Sequence, residues 1–217
     1  MEIQKFTNEV EFIEQSVDWL KKKIALCGNE VSVGLCGGNT PKAIYSALNK
    51  ISFPGINLNF FIIDERVVPI DDANSNYKMI SETLGNNNLH YFDTSLEASA
   101  MINKFEMELL KFAPNGLDIC FFGLGPDGHF ASVFPGTEAV VSPANIVRSE
   151  TLNFAVKERV GMSASFLEKT KHGLILLSGK EKAELIEKIQ NTELMGTEFP
   201  AVLLNKIADL KIHFWEK

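Results

Sequence analysis

Leu117-Asp-Ile-Cys-Phe-Phe122 runs directly into Gly123-Leu-Gly-Pro-Asp-Gly-His129, and the reading of this join decides the fold. The first half is apolar with hardly any polar alternation, the signature of a strand buried on both faces as in parallel sheets covered by helices. The second half is a run of turn formers that ends the strand and presents one histidine. The same grammar recurs outward along the chain. Val31-Ser-Val-Gly-Leu-Cys36 meets Gly37-Gly-Asn-Thr-Pro41, Asn59-Phe-Phe-Ile-Ile63 meets Asp64-Glu-Arg66, and Leu174-Ile-Leu-Leu177 meets Ser178-Gly-Lys180. Between them, apolar residues fall at helical spacing: Phe12, Ile13, Val17, Leu20 and Ile24, then Pro41 to Leu48, Tyr77 to Leu84, Ser95 to Phe112, and a charged amphipathic stretch ending near Gln190. Phe199 to Leu204 reads as a short helix and Lys211-Ile-His-Phe-Trp215 as a final strand. Strands alternating with helices predict an α/β fold, a mainly parallel sheet flanked by helices on both faces. No repeat or linker divides residues 1–217, which are expected to form a single domain.

In open α/β sheets, ligands bind at the carboxyl ends of the strands, so the turns there are the place to look for chemistry. At Gly37, Gly38, Asn39 and Thr40, two glycines admit a ligand close to the backbone and two polar side chains add hydrogen bonds. The triplet Asp64-Glu65-Arg66 admits two readings: a solvated strand end, or Arg66 gripping an anion with an acid beside it. Ser75 fits an N-cap for the Tyr77 helix. His129 stands apart from His90, His172 and His213 because its glycine-rich surroundings permit close approach of a substrate, and imidazole is the usual general base near neutral pH. Asp127, two residues earlier, reads as a turn former, with a direct catalytic part as its second reading.

Net charge is −7, which argues against a nucleic-acid or anionic-membrane partner. Neither a signal-peptide pattern nor an apolar run of about 18 residues occurs. Cys27, Cys36 and Cys120 form no C-x-x-C pair and lie in or beside apolar runs, so reduced thiols and a cytoplasmic location are expected. Metal-ligand spacing, a Gly-x-Ser-x-Gly elbow and a dinucleotide fingerprint are all missing.

Taken in order, Gly37-Gly-Asn-Thr-Pro41, Asp64-Glu-Arg-Val-Val-Pro69, Ser75-Asn-Tyr77, Gly123-Leu-Gly-Pro-Asp-Gly-His-Phe-Ala-Ser-Val-Phe-Pro-Gly136, Ser178-Gly-Lys-Glu-Lys-Ala183 and Phe199-Pro-Ala201 resemble the signatures of the glucosamine-6-phosphate isomerase/6-phosphogluconolactonase family. The resemblance runs from about Val31 to Trp215. It departs at Asn39, where the family usually has serine, at Pro126, and around Lys157-Glu-Arg159, where the family is Pro-rich.

The resemblance implies the fold shared by the lactonases and the glucosamine-6-phosphate deaminases. It further implies hydrolysis of 6-phospho-D-glucono-1,5-lactone, a phosphorylated sugar lactone as the small-molecule partner, and no cofactor; a monomer is expected. Family deaminases carry a glutamate five residues after the histidine; here that residue is Phe134, which favours the lactonase. Deamination and a non-catalytic sugar-phosphate-binding domain stand as alternatives. Carried over residue by residue, His129 is the catalytic base, with Asp64 and Asp127 as further catalytic candidates. Backbone N–H groups at Gly37, Gly38 or Gly125 are expected to receive the oxyanion. Arg66, Arg159 and Lys180 are expected to hold the phosphate, assisted by Asn39 and Thr40.

Overall fold

Asn8 starts the first helix, its side chain accepting from the backbone N–H groups of Val10 and Glu11, with Glu9 and Glu11 at the positive end of the helix dipole. The computed structural model describes residues 1–85, 88–152, 154–191 and 193–217. In order these form β1 (Glu2–Phe6), α1 (Glu9–Cys27), β2 (Glu30–Leu35), α2 (Lys42–Leu48), β3 (Asn57–Ile62), β4 (Asp64–Arg66) and α3 (Asn76–Leu84). Then follow β5 (Leu89–His90), α4 (Ala98–Phe112), β6 (Ile119–Phe122), α5 (Glu138–Val141), β7 (Ile146–Glu150), β8 (Glu158–Met162) and α6 (Ala164–Leu167). β9 (His172–Ser178), a 3₁₀ turn over Lys180–Lys182, α7 (Ala183–Gln190), a second 3₁₀ segment over Pro200–Lys206 and β10 (Asp209–Trp215) complete the order.

Seven strands make one parallel sheet in the order β1-β10-β9-β6-β2-β3-β5, flanked by helices. Its central strands are the apolar runs of the sequence; every residue of β6 is buried. From β2 the chain steps outward one way through β3 and β5, and from β6 the other way through β9 and β10. The order therefore reverses between β2 and β6. At such a reversal the loops leaving neighbouring strands diverge and open a crevice, and here those loops are Gly37–Thr40 and Gly123–His129.

A second sheet, antiparallel and three-stranded in the order β4-β8-β7, departs from the sequence expectation. The chain passes into it from β3 through Ile63, whose N–H still donates to Leu35 in the large sheet while its carbonyl accepts from Met162. Asp64 and Glu65 are consequently buried rather than forming a solvated strand end. β1 was not anticipated either; it pairs alongside β10 at the sheet edge. The Phe199–Leu204 segment is helical, as a 3₁₀ turn, and Ser75 caps α3 by accepting from Lys78 N–H.

Candidate active site

Four strand ends converge on a cavity of about 510 Å³. From the turn after β2 come Gly37, Gly38, Asn39 and Thr40; from β4, which continues past the end of β3, Asp64 and Arg66; from the turn after β6, Gly125 and His129; from β9, Ser178. Thr40 and Ser178 hydroxyls lie 2.9 Å apart, tying the first turn to the fourth. Gly38 has φ +100°, a left-handed conformation that glycine adopts without strain. Gly37 is required for a different reason: a Cβ there would run into the Asn76 amide. Cys36 also lines the cavity, but burial pushes its thiol up to about 12, which leaves it protonated and a poor nucleophile.

The Asp64 carboxylate accepts from the Ser132 hydroxyl at 2.7 Å, and the Asn76 amide donates to the Asp64 carbonyl at 2.7 Å. Asn76 is held in turn by Glu65. That buried carboxylate accepts from the N–H groups of Arg66, Asn76 and Tyr77 at 2.8, 2.7 and 2.7 Å and from the Ser75 hydroxyl at 3.2 Å. Burial raises the Glu65 pKa and the three amide bonds oppose the rise. Glu65 is thus the clasp that fixes the start of α3 against β4, and Asp64 is the acid of the triplet that lines the cavity.

His129 sits on a turn closed by Gly125 N–H donating to the His129 carbonyl at 2.8 Å and Gly128 N–H donating to Gly125 at 3.0 Å. Asp127 accepts from the His129 N–H at 3.2 Å and lies 2.5 Å from its ring Nδ1. A carboxylate only accepts, so Nδ1 is the donor to Asp127, and in the neutral imidazole the lone pair is then on Nε2. Asp127 therefore holds the turn, as one of its two sequence readings has it, and also contacts the imidazole, a part the sequence reading did not name. Gly125 takes a different part from the one expected. Its N–H is spent inside the turn, and its missing side chain is what admits the imidazole, because a Cβ would collide with the His129 ring.

The cations are arranged differently from the sequence expectation. Lys180 is exposed and outside the cavity lining; Gly179, at φ +99°, and the 3₁₀ turn bring Lys182 in instead. Its ammonium donates to the Leu124 carbonyl at 2.9 Å, and burial lowers its pKa. Two lysines separated by one residue look alike in sequence, and only the turn selects between them. Arg66 lines the cavity and donates to the Asn74 carbonyl at 2.7 Å. Arg159 pairs with Arg66 in register across β4 and β8 but is buried and outside the lining. Burial and the Arg66 charge depress the Arg159 pKa, and neither Nε has a hydrogen-bond partner among the described residues. Adjacent guanidinium groups with spare donors make an electropositive wall suited to an anion. Among the described residues no group of three or more His, Cys, Asp or Glu side chains is placed to hold a metal ion, and no helix is long and apolar enough to cross a membrane.

A 6-phosphogluconolactonase of Thermotoga maritima is 31% identical over 198 residues, 88% of this chain and 87% of that protein. The crystal structure of 6-phosphogluconolactonase from Thermotoga maritima superposes with a TM-score of 0.85 at 28% identity, covering 100% of this chain and 99% of the other. A monomeric glucosamine-6-phosphate deaminase superposes with a TM-score of 0.82 at 20% identity, covering 99% and 97%, so the fold alone does not choose between the two chemistries. The family described as "Glucosamine-6-phosphate isomerases/6-phosphogluconolactonase" matches residues 7–213, and the chain belongs to that family.

Proposed function

We propose that the protein is a 6-phosphogluconolactonase, hydrolysing 6-phospho-D-glucono-1,5-lactone to 6-phospho-D-gluconate in the oxidative pentose phosphate pathway. The observation that carries this reading is His129 facing the cavity, with Asp127 on its ring Nδ1 and Phe134 packed against it. The Phe134 ring lies 4.7 Å from the imidazole, centroid to centroid, and is buried. It occupies the place where the family's deaminases are expected to carry a glutamate, so sugar deamination lacks its second proton carrier while activation of water by one base does not need it.

In this mechanism Nε2 of His129 takes a proton from water as the oxygen attacks C1, and the C1 carbonyl becomes an oxyanion. With the Gly125 N–H already engaged, the Gly37–Gly38 turn is the source of oxyanion donors, each typically worth about 3 kcal/mol. His129 then returns the proton to the ring oxygen as the C1–O bond breaks. Asp127 holds the imidazole tautomer throughout, and Asp64, clamped by Ser132, meets sugar hydroxyls. Arg66 and Lys182 receive the phosphate, with Asn39 and Thr40 alongside, and Arg159 adds positive charge from behind Arg66. Three free cysteines support a cytoplasmic setting, and the reading takes the protein to act as a monomer.

The test is proton release on freshly generated 6-phosphogluconolactone, measured against the spontaneous rate. Acceleration is expected, and folded His129→Ala should lose about 10²- to 10⁴-fold of it, the usual worth of a general base. Ammonia release from glucosamine 6-phosphate is expected to stay at background. Full lactonase rate in His129→Ala would sink the mechanism, and ammonia release would revive the deaminase alternative.

A further inference from the structure

Phe154 belongs to none of the turns that build the site, yet it lines the cavity. It sits on the loop joining β7 to β8, where Leu152, Ala155 and Lys157 are exposed, and it is half-buried. What it packs on is not the protein's core. The hydrophobic cluster of buried residues from Phe6 to Phe214, with the apolar side chains packed against it, includes neither Phe154 nor Phe134. These two rings, 5.9 Å apart, form a separate aromatic pair around the His129 imidazole, which Phe154 meets edge-on at 5.3 Å. Phe154 also meets the Arg159 guanidinium, which lies over its ring at 5.9 Å from the centroid. One flat apolar surface thus bridges the proton-transferring group and the cationic wall.

An aromatic ring in that place matches a specific part of a sugar-phosphate lactone. The carbonyl end and the phosphate end are polar, and the carbons between them present C–H bonds. Aromatic faces pack favourably against such apolar patches and lose little conformational freedom in doing so. We propose that Phe154 is a substrate-binding, specificity-determining residue, the platform on which the carbon skeleton of the lactone rests between His129 and the arginines. This inference rests on the lactonase reading. Phe154 acts through binding and leaves proton transfer to His129, so its loss is expected in KM far more than in kcat.

The experiment compares the unsubstituted protein with Phe154→Ala and Phe154→Tyr. For Phe154→Ala, KM for 6-phosphogluconolactone is expected to rise about tenfold, the worth of a partly buried aromatic contact, with kcat changed by less than about threefold. Phe154→Tyr, which keeps a flat ring, recovers most of the loss. Binding of 6-phosphogluconate, measured by calorimetry, should weaken in parallel and reads the platform without turnover. An unchanged KM in folded Phe154→Ala overturns the proposal. So does a fall in kcat at constant KM, which marks Phe154 as acting on His129 alone. If Phe154→Ala does not fold, Phe154→Leu carries the same comparison. Absence of turnover in the unsubstituted protein defeats the lactonase reading instead, and the calorimetric difference still decides whether Phe154 binds the sugar phosphate.

Discussion

Asp127 controls which nitrogen of His129 bears a proton, and that is a property of one oxygen atom 2.5 Å away. An amide in its place can donate as well as accept, and then the other tautomer is equally well served. Asp127→Asn is expected to leave folding and KM near their original values while kcat falls about 10²- to 10⁴-fold, the range for base catalysis with a wrongly oriented imidazole. Saturation kinetics check this, and full kcat would remove Asp127 from the mechanism. That the His129 turn lies at the cavity was legible, because a histidine among glycines just past a strand end stands out in residue type. Lys182 and the true part of Gly125 were not. The first depends on the left-handed φ of Gly179 and the second on where one N–H points, and neither leaves a trace in residue type.

Elements show the same division. β2, β3, β6 and β9 are continuous apolar runs, so local sequence is enough to define them. The small sheet is different: Asp64-Glu-Arg66, Ile146-Val-Arg-Ser-Glu150 and Glu158-Arg-Val-Gly-Met162 are short and charged, and they become strands only through pairing with one another. Buried Glu65 is the cost of that arrangement and also its fastening, since it satisfies the first amides of α3 that no helix partner can reach. Glu65→Ala leaves those buried donors unmatched and is expected to destabilise the protein by about 3 kcal/mol, judged from unsatisfied buried groups. Urea denaturation measures it, and a loss below about 0.5 kcal/mol would mean that α3 does not depend on the clasp. Activity should fall as well, because Asn76 and with it Asp64 lose their anchor.

At the scale of the molecule, stability depends on a seam where α1, β1 and β10 meet. His213 is buried there, its Nδ1 2.9 Å from the Ser16 hydroxyl and its ring edge-on to Phe6. Burial, helped by the Lys211 charge, pushes its pKa down to about 3, whereas in the unfolded chain it titrates near 6.5. Between those values the unfolded chain takes up a proton that the folded one refuses, so stability falls as the pH falls through that window. From pH 6.5 to 4.5 the expected loss from this residue is about 2–3 kcal/mol. Denaturation curves at the two pH values should show a smaller acid-induced loss in His213→Asn, and identical losses would refute the assignment. The same seam has a consequence for how the molecule is made. Glu2 pairs with Lys211, so β1 leaves the ribosome about two hundred residues before the strand it will lie beside. Contacts that far apart in sequence form late and slowly. The parallel sheet can grow from β2 toward β9 during synthesis, but its β1 edge closes only after translation has passed β10, and until then Phe6 is without its pocket.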